Sequence, residues 1–177
     1  MAKIGIFFGT DTGRTRLIAR QIAKKLGETA DAPVNIGRTT RQGFLAYDAL
    51  ILGSPTLGDG ELPGQSVGLS QPSWEEFLPQ LANADLSGKV VAIFGLGDQK
   101  KYPDQFVDAI GLIHDVLVAR GARIVGRWPV AGYDFSASQA VDGDAFLGLA
   151  IDQINQPVLS EERIDTWLAH IRPELLP

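Results

Sequence analysis

The sequence predicts a three-layer α/β fold: a five-stranded parallel sheet in the order 2-1-3-4-5, with helices on both faces. Three observations carry this. Short apolar runs without polar alternation recur along the chain, as expected of strands buried on both faces. Stretches with apolar residues at helical spacing fall between them. Glycines gather at the ends of these segments, where tight strand-to-helix turns need them. Strands alternating with helices imply parallel pairing, and in such sheets ligands bind outside the carboxyl ends of the strands.

The elements follow in order. Residues 3–8 (KIGIFF) are the first strand, ending at Gly9. Residues 13–26 are helical, with Ile18, Ile22 and Leu26 inward and Gly27 as the stop. Arg14, Arg16, Arg20, Lys24 and Lys25 form its solvated face. Residues 33–36 make a short strand, 41–46 a brief helix, and 49–53 (ALILG) a third, buried strand. A long loop, rich in Gly, Pro and Ser, spans 54–72. Ser73 then resembles an N-cap, with Glu76 completing a capping box, before a helix carrying Trp74, Phe77, Leu78 and Leu81. Residues 89–95 (KVVAIFG) are the fourth strand. A long helix over 104–120 turns Phe106, Ile110, Ile113 and Leu117 inward and ends at Gly121. Residues 123–126 begin the fifth strand, 127–147 break the rhythm, and 148–152 resume a strand. Ser160 caps a last helix with Ile164, Trp167, Leu168 and Ile171.

A chain of 177 residues, 45% of them hydrophobic, fits a single domain spanning 1–177 with a sizeable core. The absence of cysteine excludes disulfides, thiolate catalysis, iron–sulfur clusters and cysteine-built zinc sites. No apolar run approaches the ~20 residues needed to cross a bilayer. The opening Met1-Ala2-Lys3-Ile4 does not read as a signal peptide, so a cytoplasmic protein without membrane attachment is expected. Net charge is −5, spread unevenly: residues 1–56 carry eight basic and four acidic side chains, the remainder eight and seventeen. Without a dominant basic face, nucleic acid is not an expected partner.

Three loops deserve inspection, those after the first, third and fourth strands. The first reads Gly9-Thr10-Asp11-Thr12-Gly13-Arg14-Thr15. Hydroxyls and glycines between a buried strand and a helix N-terminus point donors at one spot, where the helix dipole favours an anion such as a phosphate monoester. The Walker loop fails, because Gly13 precedes Arg14-Thr15 rather than Lys-Ser/Thr, and the dinucleotide fingerprint lacks its second and third glycines. An ordinary capped helix start is the plain alternative. The other two loops read Ser54-Pro55-Thr56-Leu57-Gly58-Asp59-Gly60-Glu61-Leu62 and Gly95-Leu96-Gly97-Asp98-Gln99-Lys100-Lys101-Tyr102-Pro103. Each sets an apolar or aromatic platform, Leu57 or Tyr102, beside glycines and acids, which suits a flat heteroaromatic ring.

Together the three loops resemble those of the flavodoxin family, and the resemblance runs the full length. It includes Ser-Trp-Glu-Glu-Phe at 73–77, Trp128-Pro129, Gly132-Tyr133-x-Phe135 and Asp152-x-x-Asn155-Gln156. Residues 127–147 resemble the insertion of long-chain members, and the pattern is most similar to the flavodoxins of nitrogen-fixing bacteria. The resemblance implies a flavodoxin-like fold, bound FMN, and a low-potential one-electron carrier, not an enzyme, that cycles mainly between neutral semiquinone and hydroquinone. It implies that Thr10, Asp11, Thr12, Gly13, Arg14 and Thr15 hold the FMN phosphate, and that the ring loops contribute Ser54, Pro55, Thr56, Leu57, Gly58, Asp59 and Gly60, then Gly95, Leu96, Gly97, Asp98 and Tyr102. In these roles Leu57 packs on the inner ring face and Tyr102 on the outer one. Asp98, with backbone near Gly95 and Gly97, meets the pyrimidine edge, and Thr56 the ribityl chain. The Gly58 carbonyl turns to accept a bond from the reduced ring, a movement glycine makes cheap. Asp59, Glu61 and Asp98 would disfavour the anionic hydroquinone by like charge. No metal is implied.

Two features depart from the pattern: Lys100-Lys101 beside the ring edge, and Ile154 where relatives often carry an acid. Asp59, Glu61, Glu75 and Glu76 form an acidic rim without an intervening lysine or arginine, complementary to a basic redox partner. The resemblance implies transient partners and a monomer, with nitrogenase reductase as acceptor and pyruvate-flavodoxin or NADPH-flavodoxin oxidoreductase as donor. For 127–147, packing and partner docking both remain open; docking predicts that deletion slows transfer but spares FMN. A flavin-dependent quinone or nitro reductase on the same fold is the alternative. It would need an open ring face and a converging base, whereas His114 and His170 fall in helices away from the loops. A phospho-receiver module would need an acidic pair after the first strand, where Asp11 stands alone.

Overall fold

A computed structural model describes residues 3–177; Met1 and Ala2, the start of the segment read above as no signal peptide, lie outside the described residues. The apolar runs pair as a parallel sheet built from β1 (Ile4–Phe8), β2 (Val34–Asn35), β3 (Ala49–Pro55), β4 (Val90–Leu96) and β5 (Arg123–Val125). The order is β2-β1-β3-β4-β5, as the alternation of strands and helices predicts. After β5 the chain leaves the sheet. It makes β6 (Trp128–Pro129), β7 (Val141–Asp142) and β8 (Ala145–Phe146), an antiparallel sheet in the order β6-β8-β7, and returns as β9 (Leu149–Ile151). The fifth row is therefore shared: β5 pairs with Val90, Val91 and Ala92 of β4, and β9 with Phe94, Gly95 and Leu96.

Side chains alternate across each strand, so both faces need cover. Ile4, Ile6, Phe8, Ile51, Ala92 and Phe94 face one side, where α1 (Arg14–Leu26) contributes Ile18 and Ile22, and α5 (Ser160–Leu175) contributes Ile164 and Trp167. Phe7, Leu50, Leu52, Val91 and Ile93 face the other. There they meet Phe44 of α2 (Arg41–Leu45), Trp74 and Phe77 of α3 (Trp74–Phe77), and Ile110 and Ile113 of α4 (Asp108–Ala119). Fully burying each such side chain contributes roughly 1.5–3 kcal/mol before entropy is counted.

Strand ends shift by one or two residues from the sequence expectation, β3 for instance running on to Pro55, and three helix boundaries differ in kind. The long helix begins at Asp108 rather than 104, because Val107 sits in the left-handed region (φ 49°) and cannot belong to a right-handed turn. The helix after Ser73 keeps only one α-turn before tightening to a 3-10 turn over Leu78–Leu81, which holds Pro79. At its start only the Glu76 half of the expected capping box is bonded, the carboxylate accepting the Ser73 N–H at 2.8 Å, while the buried Ser73 hydroxyl finds no partner among the described residues. Ser160 does not cap the last helix but lies within it, behind a 3-10 turn at Pro157–Leu159, and its hydroxyl donates to Gln153 Oε1 at 2.5 Å. Among the described residues no helix is long and apolar enough to cross a membrane.

Candidate functional site

The carboxyl ends of β1, β3 and β4 open into a cleft of about 550 Å³. Its first wall is the loop between β1 and α1. Thr10 Oγ1 accepts the Gly13 N–H at 3.0 Å, folding the loop back on itself. Gly13 closes the turn at φ 94°, a conformation that other residues adopt only under strain. Helix α1 then starts with no side-chain cap and no acid in its first turn, so its terminal N–H groups keep their positive end for an outside acceptor. Asp11, Thr12, Arg14 and Thr15 line the cleft here, while Thr10 and Gly13 shape the turn from behind.

The second wall follows β3. Ser54 is buried, its hydroxyl donating to the Pro55 carbonyl at 2.8 Å, and it supports the loop rather than lining the cleft. Pro55, Thr56, Leu57 and Gly58 line it. Thr56 Oγ1 accepts the Ala109 N–H at 2.9 Å, which fastens the loop to the start of α4. Leu57 and Glu61 exchange backbone bonds of 2.8 and 2.6 Å across a tight turn whose corners are Gly58 (φ 54°) and Gly60 (φ 92°). Asp59 stands exposed at the tip. Gly60 is buried behind it, where a β-carbon would fall 2.7 Å from Asp108 Oδ2. Further on, Glu76 accepts the Gln65 N–H at 3.1 Å, and Glu75 accepts both the hydroxyl and the N–H of Ser66. Those two bonds hold the Glu75 carboxyl below its ordinary range. The turn they fix carries Val67, Gly68 and Leu69 into the wall.

The third wall is the end of β4 and the loop beyond. Gly95 lies away from the cleft, beneath Ile110, while Leu96, Gly97, Asp98 and Tyr102 line it. Asp98 Oδ1 accepts the Lys101 N–H (2.9 Å), the Lys100 N–H (3.2 Å) and the Asn155 side-chain amide (2.8 Å). Partial burial opposes its charge, but the bonds from Lys101, Asn155 and Lys100 together outweigh that and hold its carboxyl below the usual range. The Tyr102 ring is 44% exposed, with Lys101 Nζ 5.4 Å from its centroid. Gln153 and the half-exposed Ile154 complete the lining.

The loops singled out in the sequence thus meet in one place. Thr10, Gly13, Ser54, Asp59, Gly60 and Gly95 stand behind or beside the lining rather than in it. Val67, Gly68, Leu69 and Gln153 were missed, and Lys101 and Ile154 entered only as departures from a pattern. The Val67 turn carries no motif; only its anchors, Glu75 and Glu76, were visible. A second cleft, about 780 Å³, lies between α5 and residues 124–131 and holds His170 but none of these loop residues. His114 bonds Asp115 on α4 and is not among the residues lining the cleft.

The arrangement brings the uncapped helix start and the apolar and aromatic side chains of Leu57 and Tyr102 into one cleft. Among known proteins, the flavodoxin family matches residues 6–167. A flavodoxin of Klebsiella pneumoniae is 57% identical, covering 99% of this chain and all of its own. One of Enterobacter agglomerans is 54% identical over the same shares. The crystal structure of Fusobacterium nucleatum flavodoxin bound to flavin mononucleotide superposes with a TM-score of 0.89 at 31% identity, covering 99% of each chain.

Proposed function

Since this chain belongs to the flavodoxin family of electron-transfer proteins, which bind FMN, we propose that it carries single electrons at low potential, moving mainly between the one- and two-electron-reduced forms of its cofactor. FMN, when bound, supplies a ring that takes up and releases electrons one at a time. The chain's own residues fit it. The uncapped start of α1, with the hydroxyls of Thr12 and Thr15 and the guanidinium of Arg14, suits a phosphate dianion. A glycine at 13 lets the loop take the left-handed turn, φ 94°, that brings these groups together.

We assign the phosphate to Thr10, Asp11, Thr12, Gly13, Arg14 and Thr15. The ring and ribityl chain fall to Ser54, Pro55, Thr56, Leu57, Gly58, Asp59 and Gly60 on one side, and to Gly95, Leu96, Gly97, Asp98 and Tyr102 on the other. Leu57 and Tyr102 exclude water, and exclusion of water strengthens every charge effect between them. Asp98, held anionic by its three donors, and the exposed Asp59 oppose added negative charge, which supports a low second potential. Gly58 lets its peptide turn at little cost. Among the described residues no histidine lines the cleft, which disfavours the quinone or nitro reductase reading.

The acceptor we propose is nitrogenase reductase, and the donor pyruvate-flavodoxin or NADPH-flavodoxin oxidoreductase, met transiently by a cytoplasmic monomer. The acidic rim of Asp59, Glu61, Glu75 and Glu76 supports a basic partner face, because opposite charge speeds encounter. The chain acts as one domain over 1–177, with 127–147 as its insertion. The observation that carries the reading is the anion seat and the Leu57–Tyr102 slot in one cleft. Stepwise anaerobic reduction followed by absorbance tests it. A separate long-wavelength species after the first electron is expected; bleaching in a single two-electron step would favour a reductase.

A further inference from the structure

Residues 127–147 leave the sheet edge, yet they grip the loop after β4. Gln99, only 3% exposed, is where they do so. Its Oε1 accepts the Asp134 N–H at 2.5 Å, and its Nε2 donates to Asp152 Oδ2 at 2.8 Å. A backbone donor on one side and a carboxylate on the other admit only one orientation of this amide. Asp152, fully buried, also accepts the N–H groups of Gln99, Ile154 and Asn155, and the side-chain amide of Asn155. That same Asn155 amide donates its other hydrogen to Asp98 Oδ1 at 2.8 Å. Among the described residues Asp152 has no ion pair, so hydrogen bonds alone compensate its buried charge.

We propose that Gln99 is a positioning residue. Through Asp152 and Asn155 it transmits the hold of residues 127–147 to Asp98, and so fixes the wall of the cleft that carries Asp98 and Tyr102. Asp98 is the pivot of that wall: its side chain receives Lys100 and Lys101, and its carbonyl receives the Tyr102 N–H at 2.9 Å. Losing the Gln99 side chain leaves Asp152 Oδ2 one donor short and strands the Asp134 N–H, and a wall relieved of its anchor must reorder before a ring binds. The proposal rests on the reading of the cleft as the FMN site. It gives 127–147 a task in holding the ring, where the docking reading spares FMN binding altogether.

The test is Gln99→Leu in the apoprotein of the full chain, titrated separately with FMN and with inorganic phosphate. FMN affinity is expected to fall about tenfold or more, while phosphate affinity at the untouched first loop stays as in the wild type. Amide exchange at Lys100 and Lys101 is expected to quicken, with residues 14–16 unchanged. Unchanged FMN affinity would overturn the proposal, and so would an equal loss for both ligands, which would mark general loosening. If the wild type itself takes no FMN, the reading of the cleft fails, and the exchange rates at Lys100 and Lys101 decide the relay by themselves. Should Gln99→Leu fail to fold, Asn155→Leu severs the same relay nearer the surface, with the same criteria.

Discussion

The ring of Phe94 packs on the bare Cα of Gly53: a β-carbon at 53 would fall 2.0 Å from Phe94 Cζ. The two residues are register partners on β3 and β4, at the point where the Gly53 carbonyl also receives the Gly9 N–H and Trp74 Nε1, each at 2.9 Å. Gly53→Ala is therefore expected to destabilise the apoprotein by about 2 kcal/mol through overpacking. Urea unfolding measures it, and a change within a few tenths would show that the sheet yields more easily than its packing implies.

Tyr133 shapes the alkaline limb of stability. Its hydroxyl donates to the Ala150 carbonyl at 2.5 Å and accepts Trp128 Nε1 at 3.0 Å, and burial pushes its pKa up to about 12. An unfolded tyrosine titrates near 10, so the neutral phenol's contribution is complete below that pH and drains away as pH climbs through about 12. Tyr133→Phe should cost about 1 kcal/mol at neutral pH and flatten this slope. Some slope will persist, because Tyr47, bonded to Asp31, is raised as well. Thermal melts of both proteins from neutral to strongly alkaline pH read the difference.

Gly58→Ala should bring the two reduction potentials closer. The corner now at φ 54° costs alanine about 1–2 kcal/mol, and its methyl would meet Glu61 Oε1 at 2.6 Å. A β-carbon also penalises the turned peptide that glycine reaches freely, so the equilibrium constant favouring the intermediate redox state should fall by roughly tenfold. Potentiometric titration is the measurement, and an unaltered separation would remove Gly58 from the redox role.

Asp59→Asn and Asp98→Asn each remove a negative charge beside the cleft. Both should raise the second reduction potential by roughly tens of millivolts, with Asp98, the less exposed of the two, giving the larger change and the weaker dependence on salt. Unchanged potentials in the double variant would dismiss charge as the cause of a low potential.

Much of this was legible in the residues. Strands buried on both faces cannot alternate, so IGIFF, ALILG and VVAIF announced β1, β3 and β4 without ambiguity. The first loop was legible as a wall of the cleft because hydroxyls, glycines and a helix start fall together there. What stayed hidden has physical reasons. Strands of two residues, such as β6, β7 and β8, are too short to show a period. The late start of α4 depends on Val107 taking a backbone angle that valine rarely adopts. Val67, Gly68 and Leu69 reach the cleft because distant carboxylates pin their turn, and Asp152 reaches Gln99 across 53 positions. Partnerships of that kind are invisible until the chain has closed.

The divided fifth row bears on how this chain could change over generations. Val125 stands opposite Ala92 and Leu149 opposite Phe94, so a chain running straight along the edge would need one residue, opposite Ile93. Everything between is a detour that the sheet itself does not require. A descendant could shed it and keep the strand pairing, but it would uncover Phe106, now covered by Tyr133, Phe135 and Phe146, and leave Gln99 Oε1 without its Asp134 donor, so both positions would have to be refitted before the loop beside them could hold its shape again.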